Sequence, residues 1–393
     1  MVIHAAHDDD IHPPRSGGTQ RSFGLARGLA RRHRVRALCV VPNRDRAPAE
    51  ELAGGVELVR RRAWHTSLAW RLERWRLAPF FRVERGHRAR AARYRAALGP
   101  GADVLSADLH LAALLDDAGV PLRVHTSQNV EYDRFVESAP RLLAGAGWAA
   151  RLRELEQRTV ARADLTIVCS DEDAARMREL YGVGAERLAV VPNGYDETAL
   201  RPPRPDERAR ARAALGFAPD DYVVAFVGAD WAPNRDALAL LATRVMPALA
   251  AEGVRLLAVG GVSRALAGRR EPWLRAVGEV SDLLPLLHAA DAGANPVRAG
   301  GGSNVKVPAY LACGLAVVTT AFGLRGYAAL APLCTVTSEA GFADSLRARP
   351  RGFAVRGEAA PPALAEYAWG RLGERLGELY AERLGRTAAR EAS

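Results

Sequence analysis

Residue 306 is the only lysine in a 393-residue chain whose other basic side chains are all arginine. It closes the run Gly300-Gly301-Gly302-Ser303-Asn304-Val305-Lys306. Glycines let backbone approach a ligand closely, and an ammonium is a compact point charge that meets a phosphate where a planar guanidinium does not fit. Pro308 is best tolerated in the first turn of a helix, so a helix must begin close to it. Lys306 therefore lies at or just before a helix N-terminus, where the macrodipole disfavours a cation. That placement makes sense when an anionic ligand fills the gap, and Arg298 adds to the same potential. A second glycine-rich loop, Pro13-Pro14-Arg15-Ser16-Gly17-Gly18-Thr19, lies between an apolar run and a helical pattern. Free N–H groups at that helix start favour an anion; the plainer reading is a tight turn with Thr19 as N-cap.

Other chemistries lack their residues. Walker A needs Gly-Lys-Ser/Thr, and Lys306 is followed by Val307. No GxGxxG follows the first apolar run, and no GxSxG, HExxH or metal-ligand cluster occurs, so no metal is expected. Cys39, Cys169, Cys313 and Cys334 are far apart without ligand spacing, and three sit in apolar runs as buried small hydrophobes suited to a reducing compartment. A formal charge of +10 favours an anionic partner without naming it. The N-terminus has no signal-peptide pattern, and no stretch is long and apolar enough to span a bilayer, so the expectation is a cytoplasmic protein, at most membrane-peripheral.

The elements that must position these loops follow from the apolar rhythm. Short apolar runs alternate with longer helical patterns, as in parallel α/β architecture. Strands are expected at Val2–Ala6, Val35–Val41, Asp103–Leu105, Leu122–His125 and Leu165–Cys169. Phe23, Ala26, Leu29 and Ala30 share one face of the first helix. The connector Arg201-Pro202-Pro203-Arg204-Pro205 precedes a second series at Tyr222–Val227, Val254–Val259, Asp291–Ala294 and Leu315–Thr319. Two doubly wound domains result, residues 1–197 and 198–364, followed by an amphipathic helix at about 365–393 that packs back on the first. Between Trp64 and Arg95, Trp64, Trp70, Trp75, Phe80 and Phe81 interleave with arginines. Amphipathic helices with arginines on the wet face explain this; so does a surface resting on anionic headgroups. A nucleic-acid groove has no recognisable module behind it.

The run from Gly300 through Lys306-Val307-Pro308-Ala309-Tyr310-Leu311-Ala312-Cys313-Gly314 to Thr320 resembles the donor-site signature of GT-B glycosyltransferases of family 4. Ser16-Gly17-Gly18-Thr19 is similar to the family's N-terminal loop. Ala163–Ser170 and Val191-Pro192-Asn193-Gly194-Tyr195-Asp196 resemble the approach to its linker, and Phe226-Val227-Gly228 through Pro233-Asn234 the opening of its second domain. The resemblance implies two Rossmann-like domains facing across a cleft, an acceptor on the first and a nucleotide-sugar of UDP or GDP type on the second. It implies retaining, metal-independent transfer with no cofactor besides the donor. Donor contacts would fall at Gly17, Gly18, Gly228, Asn234, Arg298, Gly301, Gly302, Ser303, Asn304 and Lys306. The family's catalytic histidine would correspond to Asp108 or its neighbour His110, with His125 on the following strand. Two positions depart from the pattern: Ala309 and Gly301 stand where the family usually has glutamates, the first of which holds the donor ribose.

The expected function is transfer of a sugar to a cell-envelope lipid, polysaccharide or glycan, with the 64–95 segment suggesting a lipid-linked acceptor. The alternative is a GT-B-shaped binding or scaffold subunit, for which Ala309 and Gly301 are the evidence. Nucleotide-sugar epimerases share the fold but lack the Gly-Gly-Gly-Ser-Asn-x-Lys run.

Overall fold

The computed structural model describes residues 1–45, 47–116, 118–138 and 147–391. The chain divides into two units, Met1–Pro192 with Trp369–Ser393, and Asn193–Ala368. The first unit therefore ends at Pro192, where the sequence reading placed 197, and the second runs on to Ala368.

The first unit is built on β1 (Val2–His7), β2 (Arg34–Pro42), β3 (Glu50–Ala53), β4 (Val56–Ala63), β5 (Val104–Ala107), β6 (Leu122–Thr126), β7 (Leu165–Val168) and β8 (Leu188–Val190). They form one sheet in the order β3-β4-β2-β1-β5-β6-β7-β8. Every pairing is parallel except β3 with β4. Parallel strands covered on both faces read as continuous apolar runs, and β2 shows why. Val35, Ala37, Cys39 and Val41 enter one core, while Leu38 and Val40 enter the core on the opposite face, the period of two that the pleat imposes.

The sequence reading missed β3 and β4, because Arg60-Arg61-Arg62 interrupts the apolar pattern of β4. Arg60 is nevertheless buried. Its guanidinium is satisfied by Asp10 and Glu51, both at 2.8 Å, and by the carbonyls of His12 and Pro48. A buried cation with its donors filled is stable, and this one holds the loop that leaves β1.

Helix α1 (Gly17–Ala30) follows that loop. Its N-cap is Ser16 rather than Thr19: Ser16 Oγ accepts the Thr19 N–H at 3.2 Å and Thr19 Oγ1 accepts the Ser16 N–H at 2.9 Å. That reciprocal box satisfies two donors at the helix end. The C-terminal helix Trp369–Glu391 packs on α1. Gly24, Gly28 and Gly373 make the approach possible, since a Cβ on Gly24 would sit 2.4 Å from the Trp369 indole and one on Gly373 2.4 Å from Gly28 Cα. Trp369, Leu372, Leu376 and Tyr380 complete the core on that face.

The second unit carries β9 (Tyr222–Val227), β10 (Val254–Val259), β11 (Leu274–Val277), β12 (Ala292–Asn295), β13 (Ala316–Thr319) and β14 (Cys334–Val336) in the order β11-β10-β9-β12-β13-β14, all parallel. Alternation recurs on β9: Tyr222, Val224 and Phe226 face one core, Val223 and Ala225 the other. Cys39, Cys169 and Cys313 are buried and Cys334 partly so, all as free thiols.

Candidate active site

Open parallel sheets present ligand sites beyond the carboxyl ends of their strands, where the strand order reverses. In the first sheet that point lies between β1 and β5, which pair in parallel from Ile3–Val104 to Ala6–Ala107. The register delivers His7-Asp8-Asp9 and Asp108-Leu109-His110 to one place. Together with Gly18, Phe80, His125, Gln128, Glu131 and Arg134 they line a cavity of about 310 Å³.

Its charged groups are arranged in pairs. His7 Nδ1 lies 3.1 Å from Asp108 Oδ2, and His110 Nδ1 makes a short contact with Asp8 Oδ2. Burial resists charging either imidazole, but the adjoining carboxylate outweighs it, so both titrate above the ordinary 6.5. Burial alone would likewise lift Asp8, yet His110 brings it down to about 2. Arg134 Nε donates to Glu131 Oε2 at 2.7 Å and holds that buried carboxyl below its usual range against the burial that would raise it. Asp9 goes the other way: lost hydration, with Asp8, Asp10 and Asp108 crowding it, pushes it up to about 6.

His125 Nδ1 donates to the Ala107 carbonyl at 3.1 Å, and burial lowers its pKa, so a neutral ring presents Nε2 as an acceptor. Gly18 is held at the cavity floor because any Cβ there would lie 2.3 Å from Gln128 Oε1. Three wall atoms are buried without a partner among the described residues: His7 Nε2, Asp108 Oδ1 and His125 Nε2. Unfilled buried polar atoms carry a desolvation cost that a ligand can remove.

The second sheet reverses between β9 and β12. The loop leaving β12 runs through Gly300 and Gly302, at φ +115° and +65°, conformations that glycine adopts freely. At Gly300 a Cβ would also strike the Trp231 indole at 2.5 Å. Lys306 is the first residue of the helix Lys306–Ala312 and is 7% exposed. Nζ donates to Asn234 Oδ1 at 2.8 Å and stands 4.6 Å from the Phe226 ring centroid; among the described residues no carboxylate pairs with it. Burial alone pulls its pKa from 10.5 to about 7. Asn234 is oriented by its other end, whose Nδ2 donates to the Ala229 carbonyl at 3.1 Å. Tyr310, whose ring fills the space left by Gly293, accepts the Val227 N–H at 2.9 Å and anchors the end of β9.

The structure thus sorts the residues singled out from the sequence. Gly17, Gly18, Asp108, His110 and His125 belong to the first unit; Gly228, Asn234 and Lys306 meet in the second, where a Cβ on Gly228 would lie 3.0 Å from Asn234. Ser303 is buried and accepts the Asn193 N–H on Oγ at 3.2 Å and Nδ2 on its carbonyl at 2.8 Å, so it fastens the loop from within. Asn304 Nδ2 reaches the Gly323 carbonyl at 3.4 Å, and Gly301 is half-buried in the same loop. Arg298 does not add a free charge: it is engaged by Glu339 at 2.8 Å, which also takes Arg244. Ala309 is half-buried one turn beyond Lys306. Among the described residues, Asp230 and Glu279 are engaged by Arg235 and Arg264.

Sequence reasoning missed His7, Asp8, Asp9, Glu131 and Arg134. The signal for the first three was present in the acidic run His7–Asp10 directly at the end of the first apolar strand; Glu131 and Arg134 carried none.

The Trp64–Arg95 segment folds into α2 (Trp64–Arg74), α3 (Val83–Arg88) and α4 (Ala91–Leu98). Arginines do not occupy its wet side alone: Trp64, Leu68, Trp70, Trp75 and Leu77 are all exposed. Trp70 lies tilted against Phe80, ring centroids 4.6 Å apart, and Phe80 meets His110 edge-on. No helix among the described residues is long and apolar enough to cross a membrane.

Comparison with known proteins bears on both units. Residues 15–199 match the profile of Glycosyltransferase Family 4 and residues 221–348 that of Glycosyl transferases group 1. A D-inositol 3-phosphate glycosyltransferase of Mycobacterium tuberculosis is 34% identical over 223 residues, covering 53% of this chain and 44% of that protein. The chain thus spans under half the length of that curated relative. Among solved structures, sucrose-phosphate synthase from Thermosynechococcus elongatus superposes with a TM-score of 0.75 at 17% identity, over 98% of this chain and 100% of that one. The catalytic domain of starch synthase IV from Arabidopsis thaliana, bound to ADP and acarbose, gives 0.68 at 14% identity over 98% and 99%. Anabaena HepE in complex with UDP and glucose gives 0.62 at 16% over 96% and 99%. At these identities the likeness shows the fold.

Proposed function

We propose that this chain, which belongs to the family 4, group 1 glycosyltransferases and has their GT-B fold of two Rossmann-like domains, moves a sugar from a nucleotide-sugar to an acceptor hydroxyl with retention of configuration. The observation that carries the reading is Lys306: a buried ammonium without a carboxylate partner among the described residues, at the start of a helix, behind a glycine-rich loop. In the donor, the bond between the anomeric carbon and the diphosphate breaks and negative charge collects on the departing phosphate. A preorganised cation aimed there lowers the barrier more than it tightens the ground state. Lys306 supplies that charge without a metal or other cofactor, so transfer persists in EDTA.

The acceptor belongs to the cavity of the first unit. Asp108, with one carboxylate oxygen unpaired and the other on His7, is placed to hold the attacking hydroxyl. His110, held by Asp8, flanks it. The acceptor is a cell-envelope lipid, polysaccharide or glycan, and the exposed tryptophans of α2 among arginines suit an anionic bilayer surface. Vesicles containing anionic lipid should sediment the protein, and neutral vesicles should not. The mycobacterial relative is named for D-inositol 3-phosphate, whose ring is itself a polyol.

Ala309 favours a second reading, a GT-B-shaped protein that binds without transferring, since the ribose-holding carboxylate of the family is lost. Purified protein offered UDP- and GDP-sugars distinguishes the two. Release of nucleoside diphosphate that falls at least tenfold in Lys306→Ala supports transfer. Diphosphate release that Lys306→Ala leaves unchanged, or nucleotide binding with no release under any acceptor, sinks it.

A further inference from the structure

The first unit's cavity has a charge that narrows the acceptor, and this rests on the transferase reading above. Its wall brings four carboxylates, Asp8, Asp9, Asp108 and Glu131, against one permanent cation, Arg134. The chain as a whole carries +10, so the acidity is local. Three of the carboxylates are matched: Asp8 by His110, Asp108 by His7, and Glu131 by Arg134 at 2.7 Å. Asp9, which also lines the wall, is not. One of its oxygens accepts the Asp10 N–H at 2.8 Å, and its charge has no basic partner among the described residues.

Two further observations show that the cavity expects a ligand. Asp108 Oδ1 and His7 Nε2 line it on residues more than nine-tenths buried, with no partner among the described residues. The rest of the wall is neutral and hydroxyl-friendly, through Thr19, Ser127, Gln128 and Asn129, with Phe80 offering an apolar face. Hydroxyls and amides of this kind bind polyols, and an aromatic face takes the C–H side of a sugar ring.

We propose that this cavity takes an amine-bearing polyol, such as an amino sugar, with the ammonium beside Asp9 and a hydroxyl on Asp108, and that it rejects a phosphorylated one. A phosphate would enter a pocket whose one fixed cation already holds a carboxylate, where like charges repel with little water to screen them. An ammonium neutralises the single charge left over.

Three hexoses that differ in one substituent make the test: glucosamine, glucose and glucose 6-phosphate, titrated at pH 7 into the full chain saturated with UDP. The expected result is at least threefold tighter binding of glucosamine than of glucose, with glucose 6-phosphate weakest. In Asp9→Asn, a surface change that leaves the fold intact, the glucosamine advantage should vanish while glucose is unaffected. Glucose 6-phosphate binding as well as or better than glucosamine overturns the inference, as does an amine preference that survives Asp9→Asn. No hexose binding with UDP still bound overturns the inference alone; loss of UDP binding as well overturns the transferase reading beneath it.

Discussion

Binding of a nucleoside diphosphate to this protein should take up a proton, with Lys306 as the base. The free side chain titrates near 7 because burial strips its hydration and no anion replaces it. A diphosphate against Nζ supplies the missing counter-charge and returns the group toward its ordinary 10.5. At pH 8 about nine-tenths of Lys306 is neutral before binding and charged after it, so each UDP bound takes up about 0.9 proton. The share of Lys306 falls to about 0.5 at pH 7 and about 0.1 at pH 6, before the phosphate's own proton is counted, and affinity drops about tenfold per pH unit above 8. The phosphate's own last ionisation, with a pKa of about 6, is complete at pH 8 and adds little. Calorimetric titration of UDP in HEPES and in Tris at pH 8 reads the uptake from the difference in observed heat between buffers of different ionisation enthalpy. Lys306→Met keeps the buried stem and removes the titrating group; it should bind UDP at least tenfold more weakly with uptake near zero. Tight UDP binding without proton uptake at pH 8, or uptake undiminished in Lys306→Met, would refute the placement of the diphosphate on this lysine.

The same shift makes Lys306 a cost to folding. Its folded pKa lies below the unfolded value, so the unfolded chain binds the extra proton between about pH 7 and 10.5. The penalty is therefore full below 7 and gone above 10.5, amounting to about 5 kcal/mol at most. Lys306→Met should accordingly gain stability over the native chain at pH 6, and the gain should shrink by pH 10 in chemical denaturation; a pH-independent difference refutes this. Asn234→Leu removes the acceptor of the ammonium and the tie to Ala229, and should weaken UDP binding about tenfold, the order of one hydrogen bond to a charged group; unchanged affinity refutes it. Gly373→Val forces α1 and the C-terminal helix apart where a Cβ already meets backbone at 2.4 Å, and should destabilise the first unit by about 3 kcal/mol or more in urea unfolding; a loss below about 1 kcal/mol would mean the helices can separate without strain.

Much of the fold was legible because both sheets are parallel and covered on two faces. Tyr222–Val227 is an uninterrupted apolar run and Val254–Val259 is broken only by Arg255, and the bounds of both match those read from sequence. Elements at the sheet margins were not legible. β4 carries three consecutive arginines, and the first of them is buried against Asp10 and Glu51, contacts that no local pattern announces. The candidate sites divide the same way. The glycine loop and Lys306 are contiguous in sequence, so their chemistry could be read directly. In the first unit, His7 and Asp108 are separated by 101 residues and meet only because β1 and β5 are neighbours in register. Asp108 and His110 were reached through a resemblance to a family whose histidine they do not reproduce. The residues that complete them follow from strand order, which a single sequence does not state.

Taken together, the two units leave charge uncompensated where their strand orders reverse. This chain is rich in arginine, and the buried guanidiniums of Arg60 and Arg212 have carboxylate and carbonyl partners. Lys306 differs in chemistry as well as in surroundings: an ammonium can lose its proton in the dry state and regain it when an anion arrives, whereas a guanidinium cannot. A replacement of Lys306 by arginine would remain charged throughout, with a larger head to be placed between Asn234 and Phe226. The lysine is therefore suited to a site that must be tolerable when empty and cationic when filled. The same logic gives the first unit its direction. His110 keeps Asp8 ionised at neutral pH without adding a permanent positive charge to the cavity. On the proposed reading, separate placement of the anion-attracting group in one domain and the acid-rich cavity in the other would keep each substrate from the other's site, an order that a single pocket of mixed charge would not impose.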